Sequence, residues 1–221
     1  MDIPGGILAI GGLGTAAFGL VDSTKAFWGG ISCYGFGEID TALRRFFSSR
    51  VNKTDRGNAL SYASTRGVLR ANWLNGTPLA DQKSIAKTLV KLRLDAGNAA
   101  HLAKLTGVDA DVLTSLAAKY ANGGDLTAAE QNVAGRFDLL LTTLLDEAYQ
   151  RADQKYRNGA RALAVLFAVA LALAGKWALG DATVGWRLAV IAGLLAAPLA
   201  PISKDLASAL QSSVKMLQAL K

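Results

Sequence analysis

One cysteine and one histidine in 221 residues leave little of the usual material for catalysis. A lone Cys33 excludes an internal disulfide and any multi-cysteine metal site, and a lone His101 excludes a histidine cluster for zinc or iron. No cofactor is expected. The opening residues, MDIPGG, carry an acid where a secretory signal needs a basic region, and no small-residue cleavage site follows, so the first segment is expected to stay in the mature protein. Charge is also missing, and from two places: Ile3–Val21 has none, and 162–202 is sparse in it.

What the chain has is apolar residues, 51% of the total, beside 19% charged ones. The two are segregated: 19 of the 24 basic and 14 of the 17 acidic residues lie between Asp22 and Arg161. Two hydrophobic ends thus flank a polar middle of about one domain's length. The expectation is an all-α integral membrane protein with about three hydrophobic spans and a helical cytoplasmic domain. Its parts are residues 1–37, a Gly-rich span with an interfacial or re-entrant piece; 38–158, the polar helical domain; 159–203, a transmembrane hairpin; and 204–221, an amphipathic helix.

The first span, Ile3–Val21, reaches about 28 Å at 1.5 Å per residue, near the roughly 30 Å of bilayer hydrocarbon. It is rich in glycine, which costs a water-soluble helix about 1 kcal/mol per interior position relative to Ala. A flexible linker would also hold glycine, but linkers are polar. Gly11, Thr15 and Gly19 are spaced by four and share a face, the small-residue pattern that lets helices approach closely in lipid. The second span, Ala162–Leu179, carries the stripe Ala160, Ala164, Ala168, Ala172, and the third, Val184–Ile202, carries Gly185, Ala189, Gly193 and Ala197. Pro198 and Pro201 should end or kink the third.

Lys176, Asp181 and Arg187 surround the short link between the last two spans. They read either as anchors that snorkel to the interface or as charges at the mouth of a pore built by several subunits. Trp177 and Trp186 suit the headgroup level at the same membrane face. Basic residues cluster after span one, before span two and after span three, which places the middle region and C-terminus in the cytoplasm and the N-terminus outside. The apolar piece Phe27–Gly37 is too short to cross, so Trp28, Tyr34 and Phe36 are expected among headgroups, followed by Arg44, Arg45, Arg50, Lys53 and Arg56. Anionic lipids are the partner class that fits those cations. The tail, Asp205–Leu220, is amphipathic and is expected on the membrane surface or on a helical stalk.

In the polar middle the spacing predicts helices over about Ile39–Ser49, Asn58–Leu74, from Thr77-Pro78 (cap and first turn) through to Thr106, Asp109–Ala121, and from the capping box Thr127-Ala-Ala-Glu130 onward. Ile85, Leu89, Leu92 and Ala96 are expected on one face of the third, and the ladder Lys83, Lys87, Lys91 reads as a solvated face. One helix, or two nearly collinear ones, is expected from Ala128 to Gly180.

Leu102–Leu116 has helix-turn-helix spacing, with Ala103, Gly107, Leu113 and Leu116 at the core positions. The would-be recognition helix opens on Asp109 and Asp111, where phosphate contacts need cations, so two packed helices with a glycine turn fit better. The GGLGT stretch lacks the Lys-Ser/Thr of a phosphate loop. His101 reads as a packing or interfacial residue, and no catalytic constellation is present. The functional expectation is a non-enzymatic homo-oligomer, a structural scaffold or pore-forming assembly in a bacterial-type inner membrane. Small-residue faces recurring in all three spans carry that expectation. The alternative is a membrane-tethered regulator or adaptor that binds DNA or protein through 102–116. Nucleic acid is otherwise not expected, and no specific protein partner is identified.

Overall fold

Every element in the computed structural model is helical among the described residues, which are 3–27, 29–47, 60–180 and 185–219. The helices are α1 (Ile3–Ser23), α2 (Ser32–Phe46), α3 (Tyr62–Leu74), α4 (Leu79–Lys91), α5 (Ala99–Thr106), α6 (Ala110–Asn122), α7 (Ala128–Leu179) and α8 (Trp186–Ala219). A 3₁₀ turn, Thr24–Ala26, follows α1. Two compact units result: Met1–Ile31 with Arg157–Lys221, and Ser32–Tyr156.

The second unit has an ordinary apolar core. Phe36, Ile39, Leu43 and Phe46 come from α2, Leu69 and Trp73 from α3, Ala86 and Val90 from α4, and Leu102, Leu113 and Leu116 from α5 and α6. They close around Phe137, Leu141, Leu145 and Tyr149, spaced by four along α7, so that one stripe of that helix faces inward. Trp73 donates its indole N–H to the Ser32 carbonyl at 2.9 Å, which ties α3 to the start of α2.

Helix ends follow the local chemistry at most boundaries. Gly107 stops α5 with φ +66°, a conformation costly for residues with a Cβ, and Asp109 then caps α6 by accepting the Asp111 and Val112 amides at 3.0 Å each. Thr127 and Glu130 form the capping box at the start of α7: the Thr127 amide donates to Glu130 Oε2 at 2.7 Å and the Glu130 amide to Thr127 Oγ1 at 3.3 Å.

Several expectations need correction. The stretch from Thr77 to Thr106 is not one helix: it breaks after Lys91 and resumes at Ala99. Asp95 turns the chain there by accepting the Asn98 amide on its Oδ1 at 2.9 Å, which competes with continued helix. Leu92, placed on the core face by its spacing, is therefore 60% exposed. Thr77 is not the cap of α4; its carbonyl accepts the Gln82 side-chain amide at 2.6 Å. Phe36 does not sit at a membrane surface, because it is buried in the second unit with the Arg66 guanidinium over its ring. α8 continues through both Pro198 and Pro201. The start expected for the second helix, Asn58, lies outside the described residues, and α3 begins at Tyr62, capped by Ser61.

Candidate functional site

The first unit brings together α1, the end of α7 and α8, and they meet on their smallest side chains. Ala17, Ala168 and Ala196, one from each helix, are all 0% exposed at the centre, and a second cluster joins Val21, Ala164 and Ala197. The contact is close enough to require glycine at two positions. A Cβ on Gly14 would lie 2.0 Å from the Ala196 carbonyl oxygen, and one on Gly193 would lie 2.5 Å from Val169 Cα. Large apolar side chains point outward instead: Leu166, Leu188, Ile191, Leu194 and Ile202 are each at least half exposed. Gly5–Ala26 and a stretch within Ala128–Ala178 are long and apolar enough to cross a membrane, and Trp186–Ile202 is a shorter apolar helix.

The small residues singled out by sequence divide between inside and outside of this unit. Gly11, Ala164, Ala168, Ala189, Gly193 and Ala197 are buried within the chain, and Ala172 is half-buried. Thr15 and Gly19 are exposed, and a Cβ on Gly19 would meet nothing within 4 Å. The row of α1 that meets α8 instead runs through Gly14, Ala17 and Val21. α1 is apolar around its whole circumference, so periodicity alone favours neither row. Trp177 and Trp186 are exposed, as is Arg187, while Lys176 is half-buried. Asp181, Trp28 and Arg50 lie outside the described residues.

The second unit carries its charges in matched groups. Asp40 accepts hydrogen bonds from the Tyr62 hydroxyl at 2.5 Å, Arg66 Nε at 2.8 Å and Arg44 Nη2 at 3.2 Å. Burial pushes its carboxyl up, but those donors outweigh burial and hold it below the usual carboxylate range. Arg44 is thereby engaged within the chain, its guanidinium also lying over the Tyr62 ring. Glu130 takes Lys119 Nζ at 2.7 Å and the Ser115 hydroxyl at 2.8 Å, in addition to its capping bonds. The Lys119 bond leads the causes that hold its carboxyl down at about 2.

The lysine ladder is not a solvated face, which corrects the sequence reading. Lys83 pairs with Asp146 at 2.7 Å, Lys87 with Asp138 at 2.7 Å and Lys91 with Asp138 at 2.8 Å. The reversed order of partners shows that α4 and α7 run antiparallel at this contact. A signal was present in the sequence, since Asp138, Thr142 and Asp146 repeat with the same spacing of four as the lysines.

A groove of about 50 Å³ lies between α2 and α7, with Leu105 of α5 also lining it. Ala42, Phe46, Leu144 and Ala148 form its apolar floor, and charged side chains form its rim. His101 Nε2 lies 2.7 Å from the Arg45 carbonyl oxygen, joining α5 to α2 beside it. A wider, open groove of about 310 Å³ follows the lysine ladder past Ser84. Among the described residues no group of three or more His, Cys, Asp or Glu is placed to hold a metal ion.

Asp109, at the head of the would-be recognition helix, accepts the amides that cap α6. Compared with protein-family models, with curated proteins and with solved structures, the chain matches none.

Proposed function

We propose that this chain is a non-enzymatic, multi-pass integral membrane protein of a bacterial-type inner membrane, working as a homo-oligomeric scaffold or pore-forming assembly. The inverted packing of the first unit carries the reading: alanines and glycines at the centre, leucine, isoleucine and tryptophan outside. In water that arrangement would forfeit about 1.5–3 kcal/mol for each large apolar side chain left exposed. In lipid, association depends on close backbone approach, which small residues at the centre permit. Thr15 and Gly19, exposed on α1, offer a second small-residue row for a neighbouring copy. Arg50, Lys53 and Arg56, which follow the first span in sequence, suit anionic lipid headgroups on the cytoplasmic side.

The test is extraction and assembly. The protein should remain with membranes through an alkaline carbonate wash, and release into the soluble fraction would refute membrane insertion. In detergent it should sediment as a defined oligomer, and a monomer at every concentration would sink the assembly reading. Planar-bilayer conductance then separates pore from scaffold. In a pore, Lys176→Gln and Arg187→Gln change ion selectivity; in a scaffold there is no conductance to change.

A further inference from the structure

Arg93 and Leu92 stand side by side in the turn after α4 with their usual places exchanged. Arg93 is 5% exposed, its guanidinium over the Phe47 ring, while Leu92 is 60% exposed. The turn is firmly held: the Leu92 amide donates to Thr88 O at 2.9 Å, Arg93 to Val90 O at 3.1 Å, and Asn98 and Ala99 both donate to Asp95 O. The backbone that presents Leu92 is thus held in place, so covering this exposed apolar knob orders its side chain but not the turn. Three residues on is Asp95, exposed, with no cation pairing to it among the described residues.

The groove between α2 and α7 has the complementary form. Its floor is apolar and its volume of about 50 Å³ suits the end of one branched aliphatic side chain. On the rim, Glu38 is matched by Lys155 at 2.8 Å and Glu147 by Arg151 at 2.6 Å. Arg45 is the rim charge left over, with no carboxylate on its guanidinium among the described residues. The groove therefore asks for an apolar knob accompanied by one carboxylate.

We propose that this groove seats Leu92 of a second copy of the chain, with Asp95 of that copy on Arg45. Each copy offers both knob and groove, which allows a reciprocal pair or a closed ring. The inference rests on the homo-oligomer reading and names the contact that assembles it.

Sedimentation of the full chain in detergent tests it. Arg45→Glu and Asp95→Lys should each weaken self-association about tenfold or more, and the charge-swapped double variant should restore it. Asp95→Asn keeps an oxygen for the Asn98 amide and should weaken association as well, which separates lost charge from a damaged turn. Leu92→Ser should act like the charge variants. In a Cys33→Ser background, Ala42→Cys with Leu92→Cys should form a disulfide between copies under mild oxidation. An oligomer unchanged by all these variants overturns the knob-and-groove contact and leaves the assembly reading standing. A wild-type monomer at every concentration overturns both.

Discussion

Gly14→Ala adds a single methyl group to α1, at the point where that helix meets α8. The new Cβ would stand 2.0 Å from the Ala196 carbonyl oxygen, 2.6 Å from its carbon and 3.0 Å from Ala200 Cβ. A helix carbonyl has no rotamer to escape through, so relief requires the two backbones to part by about 1 Å or more. That opening loosens the contact among Ala17, Ala168 and Ala196. Overpacking of this kind costs about 1–3 kcal/mol. Alanine's better helix propensity returns about 1 kcal/mol, so the net loss is about 0–2 kcal/mol, and the deficit relative to an unhindered Gly→Ala change is the full cost of about 1–3 kcal/mol. Gly12→Ala and Gly19→Ala are the controls, since a Cβ at either position meets nothing within 4 Å. Both should be neutral or should stabilise the monomer by up to about 1 kcal/mol. Reversible unfolding in mixed micelles, followed by far-ultraviolet circular dichroism, measures all three. If Gly14→Ala is as stable as Gly12→Ala, the close approach of α1 and α8 is wrong.

Three further outcomes concern the second unit. Leu141→Ala, at a fully buried position on α7, should lower stability by about 2–5 kcal/mol in denaturant titration; a change under 1 kcal/mol would contradict the core assignment. Glu130 has its carboxyl lowered from an ordinary 4.5 to about 2, so its contribution is present above the unfolded value and is lost as pH falls through the folded one. The stability gap between wild type and Glu130→Gln should therefore be flat from neutral pH down to about pH 5 and shrink toward pH 2, and a gap flat into acid would refute the linkage. A double-mutant cycle on Lys87→Met and Asp138→Asn should return a coupling of about 0.5–1 kcal/mol, weakened by salt; zero coupling at low salt would mean that the ladder is decorative.

Short-range chemistry was legible in the sequence because it is complete within a few residues. Gly107 followed by Asp109 gave the α5–α6 turn, and Thr127 with Glu130 gave the start of α7. The readings that failed depended on partners far along the chain. Lys83, Lys87 and Lys91 find their carboxylates 47 to 63 residues away, so the matched spacing of the two series tells only when distant segments are compared. Leu92 continues the apolar period of α4, yet the Asp95 turn overrides that period and faces it outward. In α1 the ambiguity is of another kind: with apolar residues on every side, the row through Gly14 and the row through Thr15 and Gly19 score alike. Only the position of α8 distinguishes them.

The ladder between α4 and α7 also bears on register. Its rungs repeat every four residues on both helices, so a slide of one turn, about 6 Å, sets lysines opposite α7 positions of the same series again. In the native register Lys83 meets Asp146 and Lys91 meets Asp138, with Lys87 opposite Thr142 and leaning to Asp138. A slide in either direction would leave Lys87 facing one aspartate and the outer lysines facing neutral residues. The uncharged rung at Thr142 thus makes one alignment richer by an ion pair than its neighbours, a preference of about 1 kcal/mol or less. Charge selects among slides only weakly, and the fit of Ala86 and Val90 against the α7 core has to supply the rest.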